Sequence, residues 1–144
     1  MQPPPKLTTN LVQIQQAARD VTLGQIGINE FGALVTRLQQ LFQAKLDDVR
    51  QLVRHEVPAD FMPEIADEMN VGQRGVELYI GAMDEFFEYI RTRDLEHIQR
   101  GLQMSRDAND LVNEAMVRNW QTYQTYQQAA EEFVRQAQFG APPT

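Results

Sequence analysis

Apolar residues recur at helical spacing along most of the chain, and no segment shows the alternation typical of a strand. The longest pattern runs in alternating steps of three and four residues over about six heptads. Its positions, called here the heptad seam, are Leu95, Ile98, Leu102, Ser105, Asn109, Val112, Met116, Asn119, Tyr123, Tyr126, Ala130, Phe133 and Ala137. Asp94 is a favourable N-cap, and nothing before Gly140 would end a helix. We therefore predict one unbroken C-terminal helix, roughly 65 Å long.

Shorter patterns predict two helices in the first part of the chain. One begins at the cap cluster around Thr8 and runs to about Asp20, with apolar residues on one face. Residues 21–28 contain two glycines and predict a connector. The next helix is capped by Asn29 and ends near His55, because Pro58 disfavours helical geometry in the residue before it. Its wide apolar stripe predicts contact with two neighbouring helices.

A third helix is predicted from Asp60 or Pro63 to Thr92, and its continuity is ambiguous. The segment Asn70-Val71-Gly72 resembles a helix C-terminus, and each glycine at 72, 75 and 81 costs about 1 kcal/mol relative to alanine in a helix. Either the helix kinks or breaks near residues 70–73, or the glycines allow close packing against a neighbour. Local signals favour the kink or break, which we predict.

Together these elements predict one all-α domain, an antiparallel bundle of three to five helices with a long C-terminal helix. The chain has 144 residues, of which 42% are hydrophobic and 23% charged, as is usual for a globular domain. We place the domain at residues 8–139. Proline and glycine predict loose tails at residues 1–7 and 140–144.

Two helical segments resemble each other. The tetrad beginning at Gln73 reappears 26 residues later at Gln99, and the match extends over residues 73–90 and 99–116. Heptad-biased sequences match easily, so chance is the leading explanation. The alternative is a duplicated helix in which Gly75 and Gly101 mark equivalent tight crossings.

Charge and composition argue against several classes of function. The formal net charge of −7 disfavours nucleic acid and anionic membranes as partners. With no cysteine, the chain cannot form a disulfide, a thiolate zinc site or a cysteine nucleophile. The sequence shows neither a secretory signal nor an apolar run long enough to cross a membrane, which predicts a cytoplasmic protein.

The residue patterns predict no catalytic, cofactor or metal site, and therefore no enzyme. Carboxylate-bridged metal chemistry in helical bundles needs Glu-x-x-His on two helices, and this motif does not occur here. His55 and His97 fall at predicted helix ends, where solvated or capping roles are expected. The adjacent carboxylates lie mostly opposite the apolar stripes. A ferritin-like carboxylate-bridged metal-binding enzyme is the alternative prediction.

The C-terminal helix instead predicts a non-catalytic protein interaction module: an adaptor, a small chaperone or a self-assembling bundle. Its seam is longer than the other helices, so its partner is expected to be a second copy or another protein's helix, and a homo-oligomer is expected. Aromatic residues among amides are typical of protein interfaces, and packing of Tyr123 and Tyr126 inside the monomer is the equally weighted alternative. The predicted contact residues are Asn109, Val112, Met116, Asn119, Trp120, Tyr123, Tyr126 and Phe133.

Overall fold

The computed structural model describes residues 8–55 and 62–139, and the regular structure within them is entirely α-helical. Four helices follow one another: α1 (Thr9–Thr22), α2 (Ile28–His55), α3 (Met62–Thr92) and α4 (Leu95–Phe139). The predicted all-α bundle with a long C-terminal helix is confirmed. The predicted tails at residues 1–7 and 140–144 lie outside the described residues.

Helix α1 begins at a capping residue, whereas α2 begins before its predicted cap. Thr8 is the N-cap of α1, and its side-chain oxygen accepts a hydrogen bond from the backbone N–H of Leu11. A five-residue connector follows, in which Gly24 adopts a left-handed φ of +73° that favours glycine. Helix α2 starts at Ile28, one residue before the predicted cap Asn29. As predicted, α2 packs against two neighbours, α1 and α3.

Helix α3 is continuous from Met62 to Thr92, so a break near residues 70–73 is wrong, whereas a kink there stays a prediction. The reason for the continuity is tertiary packing. A Cβ added to Gly75 would lie 3.0 Å from the backbone nitrogen of Val112 and 3.1 Å from the carbonyl oxygen of Ala108. The missing side chain therefore lets α3 and α4 approach closely, which offsets the weak helix propensity of glycine.

The two glycines at matching positions of the repeated segments lie at this α3–α4 interface. Gly75 faces Val112, and a Cβ on Gly101 would meet the ring of Phe86 at 2.5 Å. The two glycines thus occupy tight crossings, as a duplicated helix would require, and duplication stays a hypothesis.

Helices α2, α3 and α4 run alternately up and down. The turn between α3 and α4 is made by Arg93, at a left-handed φ of 61°, and Asp94, which accepts a hydrogen bond from the N–H of Glu96. Side-chain contacts between α2 and α3 join residue 39 to 84 and residue 50 to 77, which fixes their antiparallel direction. Helix α1 packs on α2 and α4 and closes the bundle.

The core contains several aromatic rings and lies toward the N-terminal half of α4. Phe31 and Phe86 meet edge to face at 5.8 Å, and Phe42 stacks on Tyr79 at 4.5 Å. Among the described side chains of α4, the last fully buried one is that of Asn109. The remaining part of α4 extends away from this core.

Candidate interaction surface

The end of α4 reaches past the start of α3. Arg118 pairs with Asp67 at 2.7 Å, and Thr122 donates a hydrogen bond to Glu68 at 2.7 Å. Because the helices are antiparallel, the first residue of α3 comes level with about residue 125 of α4. Residues 126–139, called here the distal segment, therefore extend about 20 Å beyond α3.

The described side chains of the distal segment are exposed. Every residue from Gln127 to Gln138 is in the exposed class. Phe133 is 72% exposed and Val134 is 49% exposed. Large apolar side chains grouped on a surface mark binding sites more often than isolated ones do. This pair is therefore the first element of a candidate interaction surface.

Charged residues are confined to one side of α4 after Val112. From Met116 to Ala137 the heptad spacing puts Arg118, Glu131, Glu132 and Arg135 away from the seam. The seam positions and their immediate flanks carry no charge. We call this side the neutral face; its positions are Met116, Asn119, Trp120, Thr122, Tyr123, Tyr126, Gln127, Ala129, Ala130, Phe133, Val134, Gln136 and Ala137.

The predicted contact residues separate into a buried and an accessible group. Asn109 is only 2% exposed and belongs to the interior of this chain, and Val112 is partly buried against Gly75. Met116, at 39%, is exposed, as is Asn119. The accessible part of the seam therefore begins near Met116.

The other predicted contacts lie farther along α4. Trp120 is partly buried, and Phe133 is the most exposed of the large apolar side chains in the described residues. The side chains of Tyr123 and Tyr126 lie outside the described residues. Sequence reasoning omitted Val134, although its position beside Phe133 on the seam flank could have indicated it.

Asn109 has a structural role that the sequence did not predict. Its side-chain oxygen accepts a hydrogen bond of 3.0 Å from the backbone N–H of Thr8, which stands 101 residues away. The hydroxyl of Thr8 also lies 3.2 Å from that of Tyr79. The three residues join α1, α3 and α4. Burial raises the pKa of the Tyr79 phenol above its ordinary value of 10.0.

The polar side chains near the α3–α4 turn connect the two helices. His97, in the first turn of α4, is partly buried, and its Nδ1 lies 2.7 Å from Glu85 on α3. This contact is more specific than the solvated or capping role expected from its position. Among the side chains that the structure describes, no three from His, Asp or Glu are grouped closely enough to hold a metal ion.

The two described ranges also contain no helix that is both long and apolar enough to span a bilayer. Fold and surface together define an all-α protein with an exposed helical extension. Comparisons of this chain with protein-family models, with curated proteins and with solved structures gave no match.

Proposed function

We propose that this protein is a non-catalytic interaction module whose distal segment binds a helix of a protein partner through the neutral face. The observation that carries the proposal is the 72% exposure of Phe133 on a helix that extends beyond its own bundle. Ordinary surface helices carry such rings against their core. Here the ring lies on a part of α4 that extends past the core and leaves it exposed, which favours a role in binding.

The composition of the neutral face supports a protein helix as the partner. Burying an exposed phenylalanine or valine side chain contributes about 1.5–3 kcal/mol. Amphipathic helices are commonly recognised through apolar residues spaced three and four positions apart, as Ala130, Phe133 and Ala137 are. Protein interfaces are depleted of charge at their centre and enriched in aromatic residues, and the neutral face has both properties.

A photo-crosslinking residue at position 133 tests this proposal in the source cell and in purified protein. The matched control carries the same residue at position 128, where Gln128 is also exposed but lies on the opposite side of the helix. We expect crosslinked protein at position 133 and little at position 128. If irradiation gives no product at position 133 in cells or in concentrated purified protein, the proposal is wrong.

The carboxylate-bridged metal enzyme remains the alternative prediction of the sequence, and no contact among the described residues favours it. Iron or manganese bound in stoichiometric amount to the purified protein would support the enzyme. Whether the module acts as an adaptor or as a small chaperone depends on the partner. The cytoplasmic location also stays a prediction.

A further inference from the structure

We infer that the partner is a second copy of this chain, and that the two distal segments pack antiparallel through their neutral faces. This inference rests on the proposed function, because it names the partner of the same surface. Three properties of the distal segment carry it: its length, the sizes of its side chains and the distribution of charge.

The length of the distal segment fits an antiparallel pair. Helix α4 ends at Phe139, and α3 begins level with about residue 125. If the segments pair so that residue 124 lies beside residue 139 of the second copy, they overlap over about 24 Å. The overlap ends where α3 begins in each copy. The described helices of the two bundles then lie at opposite ends of the paired segments.

Side-chain sizes are complementary in this same register. Phe133 faces Ala130 of the second copy, and by symmetry Ala130 faces the second Phe133. The next pair of seam positions, 126 and 137, again combines an aromatic residue with an alanine. A large residue opposite a small one fills the space between helices without strain. A parallel pair would instead put Phe133 opposite Phe133 and leave a gap between the alanines.

The charge distribution also favours antiparallel self-association. Each chain carries a formal charge of −7, so two bundles side by side would repel each other. At opposite ends of a paired helix they are separated by more than the Debye length, which is about 10 Å at 0.1 M salt. The neutral face itself brings no like charges together.

The paired segments are short, so the dimer should depend on concentration. About sixteen residues of each helix take part, and standard interfaces bury at least about 1,200 Å² in total. An interface of this size belongs to the weak class. We therefore expect reversible association, which a covalent trap detects more readily than a mass measurement alone.

Single cysteines test the register, because the chain contains no other cysteine. In the antiparallel pair, residue 130 and its symmetry mate are offset by about 4.5 Å along the helix, whereas residue 137 and its mate are offset by about 16 Å. A disulfide needs Cα atoms within about 7 Å. The variants are Ala130→Cys, Ala137→Cys and Gln128→Cys, the last on the opposite side of α4.

We expect Ala130→Cys to form a disulfide-linked dimer at least about tenfold faster than either other variant, since only this position brings two thiols within reach. Circular dichroism confirms that each variant is folded. Equal rates at positions 130 and 137 would show parallel pairing, and equal rates at 130 and 128 would show random collision. Either outcome overturns the inference.

A mass measurement, which needs no introduced cysteine, complements the disulfide experiment. In concentrated solution, light scattering of the full chain should give a mass rising toward twice 16.6 kDa. Phe133→Ala should shift this rise to higher concentration. If position 133 crosslinks to a different protein while the cysteine variants show no preference, the self-association inference fails and the proposed function stands. If position 133 gives no crosslink and the cysteine variants show no preference, both the self-association inference and the proposed function fail.

Discussion

Three polar side chains, Thr8, Tyr79 and Asn109, fix the relative positions of α1, α3 and α4. The backbone N–H of Thr8 would be an unsatisfied donor at the start of a helix, and Asn109 accepts its hydrogen bond. The Thr8 hydroxyl caps α1 and also meets Tyr79. Because a hydrogen bond has strict geometry whereas apolar contact does not, this network sets where α1 begins on the bundle.

Tyr79→Phe should make the protein less stable at neutral pH and less sensitive to alkali. The variant keeps the stacking on Phe42 and loses the contact with Thr8, which costs about 1 kcal/mol. Burial raises the pKa of Tyr79, so above about pH 10 the unfolded chain ionises first and the folded protein loses stability. This loss of stability at alkaline pH should be absent from the Tyr79→Phe variant.

Urea unfolding of both proteins at pH 7 and through the alkaline range measures the effect. The difference in free energy of unfolding between them should narrow as the pH rises past the ordinary tyrosine pKa. A constant difference over the whole range would contradict the assigned role of burial at Tyr79.

At the scale of elements, the α3–α4 crossing depends on the absence of one Cβ atom. Gly75→Ala would place a methyl group 2.8 Å from Cγ2 of Val112 and close to the α4 backbone. Forcing atoms into a packed interface costs about 1–3 kcal/mol, which exceeds the gain of about 1 kcal/mol from replacing glycine in a helix. We expect a net loss of stability.

Gly72→Ala is the matched control one turn earlier in the same helix. Its Cβ would meet only the Cβ of Ala115, at an ordinary 3.4 Å. The helix propensity of alanine then acts alone, and stability should rise by about 1 kcal/mol. Chemical denaturation measures the change in free energy of unfolding of each variant. A stabilised Gly75→Ala variant would contradict the tight crossing.

The same glycines show where sequence reasoning reaches its limit. The bounds of α4 were predicted to within one residue, because capping signals and the seam are local properties of the chain. The continuity of α3 was not, because Gly75 is stabilised in the helix by residues of α4 that stand far away in sequence. The helix propensity of glycine indicates a free-energy cost, but it cannot show which tertiary contacts offset that cost.

The candidate interaction surface could be predicted only in part, because its length is a local property and its limits depend on tertiary packing. The excess length of α4 follows from counting residues, and it indicated an uncovered seam. The residue at which the seam becomes exposed depends on which part of α4 lies beside the first turn of α3. No local sequence pattern predicts that position. Asn109 therefore looked like a surface contact, although Thr8 holds it inside the bundle.

At the scale of the whole molecule, the bundle and the distal segment should be separable. A chain ended after Thr125 lacks only residues beyond α3, whose described side chains are exposed. Its free energy of unfolding should stay within about 0.5 kcal/mol of the full chain, since surface changes rarely cost more. Its ability to self-associate should be lost.

Thermal unfolding and light scattering check these two expectations together. A chain ended after Asp107 serves as the opposite control, because it lacks the buried Ala108 and Asn109 and should not fold stably. A large drop in melting temperature for the chain ended after Thr125 would mean that the distal segment supports the bundle, contrary to its exposure.

The hydrogen bond between Thr8 and Asn109 has a consequence for biosynthesis. The ribosome makes α1 well before α4, and Asn109, 101 positions after Thr8, must emerge before the bond can form. Helices α3 and α4, joined by two residues, can pair as soon as both are translated. Helix α1 therefore cannot complete its contacts with α4 until Asn109 has emerged, although α2 can cover part of its apolar side before then.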